Sequence, residues 1–294
     1  MTTTLRPTEP LQRNADGTRS RRYQVCVNGR PVGGLHLGTH PVFGEAVARL
    51  TQLRIEVPDR RRGRGTVAAL AAEEVARGWG CKRIEVAVPA DAAAALRLAT
   101  ALGYVVRNRG MEKTLGDTPP RLPPGSRARP MTDAEYLSLI LISDGAREAP
   151  MTDAEYGPWL ARGRENHIRE WAQRGVAEDE ARAGSARDHA ALLPDGPRTP
   201  DVYLSVLEHE GTRVGTLWVA SVEGHAHVFD VETDAAHRGR GHGRTLMLLA
   251  EAQAIAAGRR TLRLNVFAGN TPAERLYASL GYETKQYGLY KTLL

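Results

Sequence analysis

The amino-acid sequence predicts an α/β (α+β) protein made of two related domains in tandem. Three observations lead there. Residues 228–249, VFDVETDAAHRGRGHGRTLMLL, read as a short strand, a glycine-rich loop and a helix whose apolar run begins at Leu246. Residues 261–282, TLRLNVFAGNTPAERLYASLGY, read as an alternating strand followed by a second helix that closes at Gly281. The first half of the chain carries the same pieces in the same order.

With 294 residues the chain is long enough for two domains, each with its own core. A hydrophobic content of 41% and a charged content of 25% are those of a globular protein. No stretch is long and apolar enough to span a membrane, and the polar start MTTTLRPTEP has no secretory core, so a cytoplasmic location without a membrane partner is expected. Cys26 and Cys81 are too few for a disulfide framework and read as packing residues. The net charge of +6 is carried almost entirely by arginine. That suits phosphate binding, but no concentrated basic block marks a nucleic-acid partner.

Taken in order, residues 4–6 suggest a first strand. Residues 23–39 are two alternating runs around Asn28-Gly29, a hairpin signal. A strand over 51–57 leads into Arg60-Arg61-Arg62-Gly63-Arg64-Gly65, then a helix to about Arg77. A strand at 83–88, a helix at 92–102 and a last strand ending near Leu115 complete the first domain, 1–115. Residues 116–129 hold four prolines without periodicity and read as an extended linker. The second domain is expected over 130–294. Near-identical decapeptides at 127–136 and 147–156 open it, and the second leads from Thr152 into an amphipathic helix through Trp159, Leu160, Ile168 and Trp171.

The repeat is read by overlaying Arg238-Gly239-Arg240-Gly241 on Arg62-Gly63-Arg64-Gly65 and Leu280-Gly281-Tyr282 on Leu102-Gly103-Tyr104. On that reading Ala99 stands for Tyr277, Ala92 for Asn270 and Val67 for Gly243, and nothing in the first copy matches residues 152–193.

Glycines at a strand-to-helix junction let the backbone approach a bound group closely, and the helix start leaves N–H groups without partners. Residues 238–244 therefore form an anion cradle, in which Arg238, Arg240 and Arg244 add charge. The Arg-x-x-Gly-x-Gly of residues 238–243, Asn270 opening the next helix and Leu-Tyr-x-x-Leu-Gly-Tyr at 276–282 together resemble the GNAT superfamily of acyl-CoA-dependent N-acetyltransferases. The resemblance implies, for each domain, a mixed, largely antiparallel central sheet with helices on both faces. It implies acetyl-CoA as co-substrate, with the pyrophosphate on Arg238, Gly239, Arg240, Gly241, His242, Gly243 and Arg244. The pantetheine arm would run between strands near 229–233 and 262–267, braced by Asn270. A backbone N–H around Val231, Glu232 and Thr233 would meet the thioester oxygen, and Tyr277 would protonate the departing sulfur.

The base stays open between Glu232 and His227, with Asp230 able to act through water. Asn265, at the place where some relatives carry a glutamate, takes no proton at neutral pH. The histidines show no metal-ligand spacing, so no metal is expected. The expected reaction is acetyl transfer to a small-molecule or peptide amine by the second domain, the first being silent. A non-catalytic acyl-CoA-binding sensor or scaffold is the alternative, and the acceptor and oligomeric state are open.

Overall fold

The structure, a computed structural model, describes residues 2–15, 17–41, 44–130, 194 and 199–293. The helix expected from Thr152 and the second decapeptide lie outside the described residues. The chain divides into two compact units, residues 1–109 with 286–294 and residues 110–285.

In unit one, β1 (Thr3–Pro7), β3 (Arg19–Val27), β4 (Arg30–His40) and β5 (Gly44–Ile55) run antiparallel in that order, and the short β2 (Gln12–Arg13) lies on β3. Asn28 and Gly29 make the β3–β4 turn with φ of +48° and +81°, left-handed at both central residues, as the right-handed strand twist favours. After α1 (Arg64–Gly78), β6 (Arg83–Pro89) joins β5 in parallel, and α2 (Ala93–Ala101) leads to β7 (Val105–Thr114). One face of α1 buries Ala68, Ala72 and Ala76, whose small side chains allow close approach to Val25, Leu37 and Ile84.

Unit two repeats this plan. It contains β8 (Ser126–Pro130), β9 (Val202–His209), β10 (Thr212–Val222), β11 (His225–Thr233), α3 (His242–Ala256), β12 (Thr261–Phe267), α4 (Thr271–Ser279) and the start of β13 (Glu283–Thr292). Strands β8 to β11 are antiparallel neighbours, β11 and β12 are parallel, and β7 lies on the other side of β12. Leu217, Leu246, Met247, Leu262 and Leu264 fill its core.

The two halves match without a gap over residues 57–115 and 235–293. From the 3-10 turns Val57–Asp59 and Ala235–His237 onward, every element starts 178 positions after its counterpart, as His242 follows Arg64 and Thr271 follows Ala93. This corrects the alignment of the glycine loops. Gly243 corresponds to Gly65, not to Val67, and their environments agree: an added Cβ would meet Leu276 at 3.3 Å in one and Leu98 at 3.4 Å in the other. The glycine missing from the first copy is Gly239 (φ +77°), replaced by Arg61, which adopts the same left-handed backbone at φ +57°. The pairings of Ala99 with Tyr277 and Ala92 with Asn270 are unaffected.

The compact units also differ from the expected domains 1–115 and 130–294. Residues 286–292 of β13 pair with β6 of the first repeat, from Gln286 opposite Pro89 to Thr292 opposite Arg83. Leu289 and Leu293 enter the core of unit one, while Met111 and Leu115 enter that of unit two. Each unit is thus completed by the last strand of the other repeat. The exchanged strands are held by equivalent buried groups. Lys113 Nζ donates to the Glu251 carboxylate at 2.7 Å beside Tyr282, and Lys291 Nζ donates to Glu73 at 2.7 Å beside Tyr104. Both tyrosine hydroxyls are pushed well above their ordinary pKa, first by burial and then by the adjacent carboxylate. Two smaller boundaries shift as well. The strand expected over 51–57 is the end of the longer β5, and the end of the proline-rich linker 116–129 pairs with β9 as β8.

Candidate active site

The cleft in unit two comes from strands that stop pairing. β11 and β12 are in register at Ala226–Leu262, His227–Arg263 and Val228–Leu264, and no pair follows. Beyond Val228 a bulge puts Trp218 opposite Asp230 and Val219 opposite Val228, leaving Phe229 without a partner on β10. Phe229 stacks on Trp218 at 5.0 Å and contacts His227 at 4.7 Å. Further along, opposite Thr233, Gly215 leaves room for the Glu232 carbonyl oxygen, which a Cβ there would run into.

Backbone donors converge on this opening. Asp234 N–H donates to Val214 O at 3.0 Å, and antiparallel pairs alternate, so Val231 opposite Leu217 is a pair without hydrogen bonds. Its N–H therefore points away from β10, toward the gap beside β12. At the base of the gap the loop turns through Gly239 (φ +77°) and Gly241 (φ +88°), the latter being the N-cap of α3. The N–H groups of Gly239, Arg240 and Gly241 donate no backbone hydrogen bond among those of the turns and loops, and His242 and Gly243 open the helix, where N–H groups lack intrahelical partners. Five N–H groups without a backbone partner and the positive end of the helix dipole thus lie together at one turn of the chain.

The three loop arginines divide. Arg238 Nε donates to Thr233 O at 3.2 Å and pins the loop to the strand. Arg244 donates to Ser279 Oγ at 2.6 Å and ties α3 to α4, while Arg240 is exposed. Asn270 caps α4, its Oδ1 accepting from Ala273 N–H at 3.3 Å, which leaves the amide NH2 for another partner. Tyr277 on α4 is buried, 6% exposed, against Tyr282, and no described residue hydrogen-bonds its hydroxyl. Burial, and then the charge of Asp230, push its pKa up to about 12, so the hydroxyl keeps its proton at neutral pH.

The two base candidates lie in different settings. His227 is in the paired part of the strands, and burial, then His225 and Arg263, push its pKa down to about 4. Glu232 is on the unpaired part. Desolvation, then the Asp234 carboxylate, raise its carboxyl above the usual range against the pull of Arg238 and Arg213, although its exposure to solvent screens part of that shift. Among the described residues no group of three or more His, Cys, Asp or Glu side chains is placed to hold a metal.

Unit one keeps the cleft but not the side chains. β5 and β6 also stop pairing, after Leu50 and Val86, the counterparts of Val228 and Leu264. Arg54 stands where unit two has Glu232, Ala92 where it has Asn270, and Ala99 where it has Tyr277. Sequence motifs do not reveal the paired Glu–Lys–Tyr groups, the bulge at Phe229 or the grouping of His209 with His237 and His242. The first had a signal in the repeated Lys-Thr-Leu of both last strands.

A parted parallel strand pair with a glycine-rich helix start at its foot, present twice, places the protein among acyltransferases of this architecture. The model of the acetyltransferase (GNAT) family matches residues 2–104 and again 165–282, and the chain belongs to that family. It is 30% identical over 120 residues, 39% of this chain and 77% of the relative, to the uncharacterized N-acetyltransferase YycN of Bacillus subtilis. Among solved structures it resembles a GCN5-related N-acetyltransferase from Sphaerobacter thermophilus, with a TM-score of 0.54 and 19% identity over 92% of this chain and 80% of that one. It also resembles a tandem GNAT protein from the clavulanic acid biosynthesis pathway, with a TM-score of 0.50 and 20% identity over 94% of this chain and 84% of the other. At these identities the structural likeness shows the shared fold.

Proposed function

We propose that unit two is an acetyl-CoA-dependent N-acetyltransferase acting on a primary amine by direct attack, and that unit one has lost catalysis. The observation that carries this reading is the contrast at matched positions. Both units keep the parted strands, but only the second combines Glu232, Asn270 and Tyr277, and the first has Arg54, Ala92 and Ala99 there.

The five N–H groups of residues 239–243 take the pyrophosphate, and the pantetheine arm lies between β11 and β12 with the Asn270 amide beside it. An amine resembling lysine has a pKa near ~10 and arrives mostly as ammonium, so it must first lose a proton. Glu232, with its raised carboxyl at the open end, takes that proton directly or through water. His227, lowered by burial to a pKa of about 4, is the weaker base of the two. The amine nitrogen then bonds to the thioester carbon, and the Val231 N–H meets the charge that develops on oxygen. On collapse the carbon–sulfur bond breaks, Tyr277 gives its proton to the sulfur, and the product amide loses its remaining extra proton to solvent, which also restores Tyr277. The acceptor is a small-molecule or peptide amine.

The test is Tyr277→Phe, assayed for thiol release with a panel of amines and for acetyl-CoA binding by calorimetry. Turnover should fall by about 10²-fold or more with affinity for acetyl-CoA kept. Unchanged turnover would remove Tyr277 as the acid. Acetyl-CoA binding by the unaltered protein without turnover of any amine would favour an acyl-CoA-binding scaffold.

A further inference from the structure

A cavity of about 600 Å3, the size of a small-molecule site, lies on the sheet of unit one, with Arg22, Gln24, Gly34, Gln52, Arg54 and Glu56 in its lining. No residue of β6, α1 or α2 borders it, so it is separate from the place where β5 and β6 part. Strand register explains the hollow. Gln24 on β3 pairs with Gly34 on β4, and Gly34 with Arg54 on β5, so the three form one row across the sheet. Two strand spacings put Gln24 and Arg54 about 10 Å apart, with no side chain between them. The neighbours Tyr23, Leu35, Leu53 and Ile55 pack into the core with α1, so the row belongs to the opposite face.

Unit two fills the same row. Val206, Thr216 and Glu232 are in register there, Val206 and Thr216 being 0% and 6% exposed, and buried Leu204 stands in the place of Arg22. The backbone differs too. Gln52 has φ +56°, a conformation that residues other than glycine rarely take, at a bulge where Leu35 opposes both Gln52 and Leu53. In unit two the extra residue is Phe229 instead, so the strained Gln52 belongs to this cavity and not to the common scaffold.

The polar groups around the hollow are unengaged. Among the described residues the Arg22 guanidinium and the Gln52 amide make no hydrogen bond or ion pair, and Gln24 Oε1 accepts only from the Cys26 thiol at 3.8 Å. Arg54, its side chain 70% exposed, holds Glu56 loosely at 3.8 Å. Two guanidinium groups suit a carboxylate, and Glu56, the one acid in the lining, suits an ammonium. We propose that unit one binds a free amino acid in this cavity, with its carboxylate on Arg22 and Arg54, its ammonium on Glu56, and its side chain over Gly34 between Gln24 and Gln52. The site does not depend on the catalytic reading of unit two.

The experiment is calorimetric titration of the full chain with each common amino acid, and with the amine-free carboxylate of the same side chain as control. Saturable binding of at least one amino acid is expected, about tenfold or more tighter than its amine-free analogue. Arg22→Gln combined with Arg54→Gln should weaken it about tenfold or more, and because both side chains are exposed the fold should survive, as thermal melts will check. Gly34→Thr places the residue of unit two in the hollow and should abolish binding. Glu56→Gln should remove the preference over the amine-free analogue. Binding of no amino acid, or equal binding of the analogue by the unaltered protein, would overturn the proposal. So would binding that survives both the double arginine variant and Gly34→Thr, as for an acceptor held in unit two.

Discussion

Replacing Lys113 with methionine keeps the bulk of the side chain and removes the ammonium that Glu251 contacts at 2.7 Å. The Glu251 side chain is 6% exposed and Lys113 24%, so the ion stranded by the change is the one water reaches least. The stranded carboxylate can relieve itself by taking up a proton. For a carboxyl that ionises near ~4.3 in the unfolded chain, doing so at pH 7 spans about 2.7 pH units at about 1.4 kcal/mol each, or ~3.7 kcal/mol. That agrees with the ~3–5 kcal/mol expected when one partner of a buried pair is removed. The sign is fixed: the folded variant holds a proton that the unfolded chain releases above pH ~4.3, so its deficit shrinks as pH falls, to about 1 kcal/mol at pH 5. Urea unfolding of both proteins at pH 7 and pH 5 measures this. Lys113→Met combined with Glu251→Gln should recover most of the loss. A deficit below about 1 kcal/mol at pH 7, or one independent of pH, would refute the idea that this pair locks the exchanged strand.

Three further outcomes follow from the site. Asn270→Ala removes the α4 cap, and should cost about 1 kcal/mol in urea unfolding as well as weakening acetyl-CoA binding in calorimetry. In pH–rate profiles the acid limb should lie above the ordinary carboxylate range, because Glu232 must be unprotonated to act and its carboxyl is raised. Glu232→Gln should lower the rate about 10²-fold or more and remove that limb. Gly215→Ala drives a Cβ into the Glu232 carbonyl oxygen, so kcat should fall together with thermal stability, as measured by steady-state assays and thermal melts.

The hairpins and the glycine-rich loop are legible because their residues carry backbone instructions that nothing else satisfies. Asn28-Gly29 imposes left-handed φ at two adjacent positions, and Gly241 caps α3 from the same region. The loop of the first copy was misread by two positions because Arg60-Arg61-Arg62-Gly63-Arg64-Gly65 offers two similar frames, and Arg61 accepts a backbone that glycine usually takes. The strand exchange was not legible, since Lys113-Thr114-Leu115 and Lys291-Thr292-Leu293 make the two last strands chemically equivalent. Either can present a lysine to a buried glutamate and a leucine to a core. Likewise the spacing of His209, His237 and His242 along the chain gives no hint that the β9–β10 turn meets the start of α3. Motif positions put Asn270 at the start of α4 and Tyr277 within it, where the structure has them, whereas the different settings of Glu232 and His227 follow only from the point at which β11 and β12 stop pairing.

The central claim, that one repeat works and the other has lost the site, is met most directly by calorimetric titration of the full chain with acetyl-CoA, read for stoichiometry. One site per chain, weakened by Asn270→Ala, is the predicted result. Two equal sites would show that unit one still holds the coenzyme, and no binding would reduce the loop at 238–243 to an inherited turn. Either of those results would contradict the claim.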